Sequence, residues 1–190
     1  MRFLVKVFLS CAAALMVSAP VRAHADGYVS PFIGVNVLNN SGNGRADFGF
    51  DAGWMGKGVA GLEFDLGYAP SFFGNSGSYG GNSVTTATGN LIVGIPVGGV
   101  RGASVRPYVT GGLGLLRAQA DGMPAPGFIP KIDENNVGFS GGVGVMAFVS
   151  RHAGVRGDVR YFRSLNEDSA DTVQFGTFHF WRASFGVILR

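Results

Sequence analysis

The sequence predicts an all-β fold in which eight antiparallel strands close into an up-and-down barrel. Two observations lead to this prediction. Apolar and polar residues alternate along eight successive runs, and a period of two is the pattern of a strand with two different faces. The links between these runs are alternately short and long, which is typical of a barrel that turns tightly at one end and carries loops at the other.

The N-terminal segment has the features of a secretory signal. Arg2 and Lys6 form a short positive region, residues 7–17 are mostly apolar, and Ala23 and Ala25 are small residues at the positions that a signal peptidase reads. The apolar run is shorter than the roughly 20 residues that span a bilayer as a helix. We therefore predict a signal peptide over residues 1–25, cleaved before Asp26, and one barrel domain over residues 26–190.

Cleavage changes the charge and the cysteine content of the chain. Arg2, Lys6 and Arg22 are three of the fifteen Lys and Arg residues, and all twelve Asp and Glu residues lie after the cleavage point. The mature chain would have no net charge, so its composition gives no reason to expect a nucleic-acid partner. Cys11 is the only cysteine and leaves with the signal, which excludes disulfides and cysteine metal sites from the mature protein.

The first four runs pair an apolar face with a face of glycine, acidic and small polar residues. In the third run Leu62, Phe64 and Leu66 share one face. Glu63 and Asp65 lie on the opposite face of the same run. The four runs cover residues 28–37, 45–55, 59–68 and 86–96. Each has the length of a strand, and turn-forming residues separate them.

The last four runs repeat the pattern with arginine added to the polar face. In the seventh run Val155 and Val159 share one face. Arg156, Asp158 and Arg160 share the other face. The four runs cover residues 105–115, 137–149, 155–162 and 181–189. No segment between the runs has the periodicity of a helix.

The connections give the barrel its orientation. Short links follow the second, fourth and sixth runs, at residues 56–58, 96–104 and 150–152. Longer polar loops follow the first, third, fifth and seventh runs, and they include residues 38–44, 71–83 and 118–135. In membrane barrels of this kind the short turns face the periplasm and the long loops face the outside. Both termini then lie at the short-turn end.

Two closed barrels fit the alternation, and the composition of the polar face separates them. A soluble barrel shows its polar face to water and carries about a quarter or more charged residues there. Only 14% of this chain is charged, and Lys57 and Lys131 are the two lysines after the signal. Glycine, serine, threonine and asparagine dominate the polar face and suit a narrow lumen. We therefore expect an eight-stranded antiparallel up-and-down transmembrane β-barrel, with its apolar face against lipid.

Two sets of residues follow from this assignment of faces. Charged side chains on the inward face would form a structural network in the lumen, because buried charges are tolerated when they are paired. Its expected members are Asp51, Glu63, Asp65, Arg106, Arg156, Asp158, Arg160 and Arg182. Aromatic residues near the strand ends would form two girdles at the membrane interfaces. Their expected members are Tyr28, Trp54, Tyr68, Tyr161 and Trp181.

The segments GWMGKGVAGLEFDLGYAPSFF and GVRGDVRYFRSL, together with the signal and the eight runs, resemble a known family. It is that of the small OmpA-like or OmpX-like eight-stranded outer-membrane barrels, also described as porin-family proteins. The resemblance implies a monomer in the outer membrane of the Gram-negative cell envelope, exported through the periplasm. Its expected partners are outer-membrane lipid, lipopolysaccharide and the barrel-assembly machinery. The chain departs from the family pattern at its end, where Leu189 and Arg190 replace the usual terminal aromatic residue.

The sequence carries little that could do chemistry. Two histidines follow the signal, His152 in a short link and His179 in the eighth strand, and neither forms a His-x-Ser pair like that of barrel lipid A deacylases. We predict no enzyme, no catalytic or metal-ligating residues and no cofactor. The favoured hypothesis is a structural or surface-interaction role carried by the long extracellular loops. A small porin-like pore is the alternative, and a membrane-embedded lipid-modifying enzyme is a third possibility.

Overall fold

The computed structural model describes residues 25–38, 44–73, 79–99, 102–122, 132–165 and 178–190. The predicted signal peptide therefore lies outside the described residues, apart from Ala25. The described residues form eight strands. They are β1 (Ala25–Leu38), β2 (Arg45–Gly56), β3 (Ala60–Pro70), β4 (Tyr79–Gly94), β5 (Ser104–Gly122), β6 (Ile132–Phe148), β7 (Ala153–Ser164) and β8 (His179–Leu189). The described ranges contain no helix that is both long and apolar enough to cross a membrane.

The strands form one closed barrel in which neighbours in sequence are neighbours in space. Every pair is antiparallel, and β1 closes the barrel by pairing with β8. The register places Asp51 of β2 opposite Asp65 of β3, and Arg160 of β7 opposite Arg182 of β8. The predicted all-β, eight-stranded antiparallel barrel is confirmed.

Burial alternates along the strands in the sense expected for a membrane barrel. The apolar side chains of Ile33, Leu91 and Leu113 point outward and are 60–70% exposed. Asp65 and Arg160 point into the lumen and are fully buried. In a water-soluble protein the apolar side chains point inward, because their removal from water lowers the free energy. The outer surface of this barrel is therefore suited to lipid.

Tight turns close the end of the barrel at which β1 begins and β8 ends. The turn between β2 and β3 places Lys57 and Gly58 at positive φ, 50° and 71°. Backbone hydrogen bonds from Gly58 N to Met55 O and from Val59 N to Gly56 O close this turn. The left-handed conformation has little steric cost for glycine. The link between β6 and β7 is similarly short, with the amides of Val149 and Ser150 donating to the Ala153 carbonyl.

Three strands extend further toward the loops than the sequence indicated. β4, β5 and β6 have 16, 19 and 17 residues, whereas β3 and β8 have 11 each. Parts of the expected loops 71–83 and 118–135 are therefore strand. Ala118 pairs with Glu134, and Ala120 pairs with Ile132. Apolar alternation is a weak guide here, because a hairpin that extends beyond the membrane can be polar on both faces while its backbone ladder continues.

Candidate functional site: the lumen and the outer girdle

Arg160 is the centre of a buried ion-pair network in the lumen. Its guanidinium lies within 3.3 Å of carboxylate oxygens on four residues. The four are Asp51, Glu63, Asp65 and Asp158. The shortest contact joins Arg160 Nη2 to Glu63 Oε1 at 2.7 Å. An isolated buried guanidinium would be costly, and four surrounding carboxylates offset that cost.

Arg156 forms a second centre beside Arg160. Its Nη1 atom donates to Glu63 Oε2 and lies 3.3 Å from Asp51 Oδ2. Its Nε atom donates to Asp158 Oδ2 at 2.8 Å. The guanidinium carbon also lies 4.9 Å from the centre of the Tyr108 ring, a cation–π distance. Arg156 is thus held by charge on one side and by an aromatic face on the other.

Arg182 completes the arginine set closer to the loops. Its Nη2 atom donates to Asp65, and its Nη1 atom lies 3.6 Å from Asp47 Oδ2. The rings of Phe32 and Phe162 lie 4.6 Å and 4.8 Å from its guanidinium carbon. Stacking between aromatic rings suits the planar guanidinium and would not suit a lysine.

The network joins two sides of the barrel that are separated by β1. The carboxylates at Asp47, Asp51, Glu63 and Asp65 lie on β2 and β3, whereas the three arginines lie on β7 and β8. We call this set the central charged layer. Its eight members are Asp47, Asp51, Glu63, Asp65, Arg156, Asp158, Arg160 and Arg182. Contacts between residues about 100 positions apart fix the walls relative to each other.

Three lumen residues of this region were missing from the predicted network. Asp47 pairs with Arg182, and the hydroxyls of Tyr28 and Tyr108 donate to Glu63 and Asp158. Alternation does place Asp47 on the same face as Asp51, so the signal was present in the sequence. The tyrosines could have been found only by noting that both lie in phase with inward-facing residues.

Tyr28 is therefore a correction to the predicted girdle. Its side chain is 5% exposed and lies in the lumen, where its hydroxyl is hydrogen-bonded to Glu63. It lies one residue out of phase with Val29, which points outward and is 48% exposed. Proximity to a strand end suggested a girdle position, but the face of the strand decides whether a ring meets lipid.

Arg106 lies in the lumen, but it is set apart from the central charged layer. Its Nη1 atom lies 3.6 Å from Met55 Sδ, and its guanidinium carbon lies 5.1 Å from the Phe148 ring centre. Both neighbours belong to the short-turn end of the barrel. The sequence placed Arg106 correctly on the inward face and did not reveal its height in the lumen.

Apolar clusters fill the lumen on both sides of the central charged layer. The short-turn cluster consists of Tyr28, Met55, Ile92, Tyr108, Met146, Phe148 and Ile188. The loop-end cluster consists of Ala69, Phe72, Val84, Leu116, Phe162 and Phe180. In the second cluster Phe162 stacks on Phe180 with ring centres 5.0 Å apart, and Phe72 packs edge-on against Phe180 at 5.2 Å. The side chain of Phe72 is 2% exposed.

β4 and β6, which lie on either side of β5, contribute small polar groups to the lumen. Ser140 Oγ donates to Asn90 Oδ1 at 2.6 Å, and Asn90 Nδ2 donates to Thr88 Oγ1 at 3.0 Å. These residues are buried. The lumen therefore contains a charged side, a hydrogen-bonded neutral side and two apolar ends.

The outer surface carries aromatic residues near the loop end on two sides of the barrel. On β2 and β3, Phe48 packs edge-on against Tyr68 at 5.5 Å. On β7 and β8, Tyr161 lies 5.0 Å from Trp181. Tyr68 and Trp181 are 40% and 48% exposed. Trp54 is partly exposed and lies on the same outward face of β2 as Phe48, toward the short-turn end.

Within the described ranges, no group of three or more His, Cys, Asp or Glu side chains is arranged to hold a metal ion. The carboxylates of the central charged layer are instead engaged by guanidinium groups. The arrangement is thus a cross-link through the lumen, and its chemistry is that of ion pairing and hydrogen bonding.

A closed eight-stranded barrel, apolar outside and charged inside, defines the class of outer-membrane barrel proteins. The chain belongs to the family of the outer membrane protein beta-barrel domain, whose family model matches residues 9–181. It is accordingly an outer-membrane protein. No match was found among curated proteins.

Solved structures of small outer-membrane barrels are similar in fold. The crystal structure of Neisserial surface protein A (NspA) is 15% identical, has a TM-score of 0.63 and aligns over 87% of this chain and 97% of its own. The N-terminal barrel domain of Pseudomonas aeruginosa OprF is 13% identical, with a TM-score of 0.54 over 87% and 98%. Ail, the attachment invasion locus protein of Yersinia pestis, is 9% identical, with a TM-score of 0.54 over 87% and 96%.

Proposed function

We propose that this protein is a closed outer-membrane barrel whose activity lies in contacts made at the cell surface by its long loops. The observation that carries the proposal is the filled lumen. The central charged layer crosses the barrel, and apolar clusters lie above and below it. A role in transport through the lumen would require these contacts to separate.

Physical chemistry makes that separation unfavourable. Moving Arg160 away from its four carboxylates would leave several buried charges without partners. Removing one partner from a buried pair costs about 3–5 kcal/mol. An eight-stranded barrel is also only just wide enough to be filled by its own side chains. The loops are the remaining place for an interaction with molecules outside the cell.

The name of one similar protein, and the ligand in one of its crystal structures, are compatible with binding at the cell surface. Ail is an attachment invasion locus protein, and one of its crystal structures is a complex with the heparin analogue sucrose octasulfate. That ligand is a property of Ail. For the present chain we propose only the class of function, which is binding at the cell surface on a rigid barrel.

Conductance separates this proposal from a small pore. Purified, folded protein in a planar bilayer should give no stable single-channel current. A double variant, Arg156→Ala with Arg160→Ala, provides the comparison, because it removes two of the side chains that cross the lumen. Reproducible currents from the unaltered protein would contradict the closed barrel and would favour the pore.

Loop replacement tests the binding role directly. Residues 118–122 and 132–135 belong to paired strands and should be kept, so the segment to replace is residues 123–131. Replacing residues 123–131 by a tight turn should leave the barrel folded, with unchanged heat-modifiable migration on a gel. Binding of whole cells should fall. Unchanged binding after replacement of residues 123–131 and of the segments 39–43, 74–78 and 166–177 would refute the proposal.

Export through the periplasm and insertion by the barrel-assembly machinery complete the proposed route to the membrane. The signal segment supports export. N-terminal sequencing of protein from the outer-membrane fraction should begin at Asp26. A chain that still begins at Met1 in that fraction would exclude the proposed cleavage.

A further inference from the structure

Three rings surround Tyr161 on the outside of β6, β7 and β8. Trp181 lies 5.0 Å from the Tyr161 ring centre, His179 lies 6.0 Å from it and Phe139 lies 6.1 Å from it. Arg163 comes two residues after Tyr161 on β7 and points to the same outer side. It is exposed, and its cross-strand partners are Phe139 and His179.

The position of Arg163 on the barrel places it at the edge of the apolar band. Below Tyr161 on the outward face of β7 come Gly157, Val155 and Val159, which are uncharged. Arg163 lies roughly 7 Å further along the strand than Tyr161, toward the loops. Tyrosine and tryptophan favour the boundary between hydrocarbon and headgroups. We therefore expect the guanidinium of Arg163 to lie at headgroup depth in the outer leaflet.

The chemistry at that depth identifies the ligand. Lipopolysaccharide occupies the outer leaflet of such membranes, and its lipid anchor is a phosphorylated glycolipid. A guanidinium binds phosphate through two parallel hydrogen bonds, and aromatic rings pack against sugar and acyl groups. We propose that Arg163, with the rings of Phe139, Tyr161 and Trp181, binds one phosphate-bearing glycolipid molecule of the outer leaflet. This site depends only on the membrane placement of the barrel and is independent of the loop function proposed above.

The wall formed by β2 and β3, which β1 separates from β7 and β8, serves as an internal comparison. There Phe48 and Tyr68 form an aromatic pair at a similar distance from the loops. The next outward residues toward the loops are Ala46 on β2 and Pro70 on β3, both exposed and uncharged. That wall has the aromatic part of a girdle and lacks the arginine. A general girdle would therefore be expected on both of these walls, and of the two only the one beside Arg163 would be expected to bind phosphate.

Space next to Tyr161 is available for a lipid chain. Gly141 of β6 pairs with Tyr161 and lies on the outward face. A Cβ atom added at Gly141 would meet no heavy atom within 4 Å. One flank of the tyrosine ring is consequently open toward the lipid phase, below the position of the Arg163 guanidinium.

Native mass spectrometry of the folded barrel in detergent, with lipid A carrying two phosphates as the probe, tests the site. The unaltered protein should retain one tightly bound lipid A. Arg163→Gln should weaken binding about fivefold, the effect expected for one cation near an anionic lipid surface. Arg151→Gln is the matched control, because Arg151 is exposed in the turn at the other end of the barrel. It should leave the affinity unchanged.

Two further comparisons separate phosphate recognition from general lipid contact. Dephosphorylated lipid A should bind the unaltered protein as weakly as intact lipid A binds Arg163→Gln. Tyr161→Leu should weaken binding more than Tyr68→Leu, and gel migration before and after heating verifies that each variant is folded. The proposal is overturned if Arg163→Gln binds normally or if dephosphorylated lipid A binds equally well. Complete displacement of lipid A by inorganic phosphate would also overturn it, since the rings would then contribute nothing.

Discussion

The lumen and the outer surface of this barrel are built by the same strands and obey opposite rules. Along β3, Glu63 and Asp65 are buried among guanidinium groups, while Phe64 between them faces outward. Inside, the side chains of the central charged layer have specific partners at defined distances. Outside, an apolar side chain needs only lipid, which accommodates many shapes. A substitution on the inner face should therefore be costly because of lost partners, and one on the outer face should be costly only when it brings a charge.

The largest expected effect is the loss of Arg160. Arg160→Met keeps a long side chain but leaves Asp51, Glu63, Asp65 and Asp158 short of a cation. The free energy of unfolding in urea, measured in lipid vesicles, should fall by about 3–5 kcal/mol. Val159→Leu, one residue away and facing lipid, is the control and should change it little. Equal effects from the two variants would mean that the inner face is not specifically paired.

A charge on the outer face should have the next largest effect. Phe64→Lys places an ammonium in the middle of β3, on the side that faces lipid. The expected loss of stability is about 2–4 kcal/mol near the membrane midplane. Phe64→Leu is the matched apolar variant, and it should retain most of the stability. If Phe64→Lys were tolerated as well as Phe64→Leu, the assignment of the two faces would be wrong.

A glycine-to-alanine substitution adds one methyl group and compares the inner and outer faces without introducing a charge. At Gly112 of β5 a Cβ would clash with the Gly89 carbonyl oxygen and would lie 2.6 Å from Asn90 Cα. Backbone atoms cannot move away cheaply, so Gly112→Ala should cost about 1–3 kcal/mol. Gly89→Ala points outward into open space, and its effect should stay within about 0.5 kcal/mol. Thermal unfolding of the two variants compares them directly, and equal melting temperatures would contradict the packing.

The smallest effect concerns the corrected position of Tyr28. Tyr28→Phe removes one donor from the buried Glu63 carboxylate and keeps the ring in the short-turn cluster. The free energy of unfolding should fall by about 1 kcal/mol. Tyr68→Phe on the outer surface should have almost no effect on it. If Tyr68→Phe lowered the free energy of unfolding more than Tyr28→Phe, the assignment of Tyr28 to the lumen would be contradicted.

The sequence predicted the faces of this barrel well and the extent of the strands less well. Phe64 and Val159 were assigned outward, and Asp51, Glu63 and Arg160 inward, from alternation together with the composition of the polar face. Alternation is reliable within the membrane, since lipid and lumen impose different chemistry on successive residues. Beyond the membrane this contrast is lost. The outer ends of β4, β5 and β6 were consequently mistaken for loops.

The sequence by itself determined that eight strands alternate in character, that the polar face is too poor in charge for a water-exposed surface, and that charges of both signs share that face. These properties depend on local spacing and on composition. Only the tertiary structure decided which charges touch. Arg160 reaches four carboxylates whereas Arg106 lies against Met55 and Phe148, although both arginines are inward-facing. The height of a side chain in the lumen depends on the register and tilt of all eight strands, and that is a property of barrel closure.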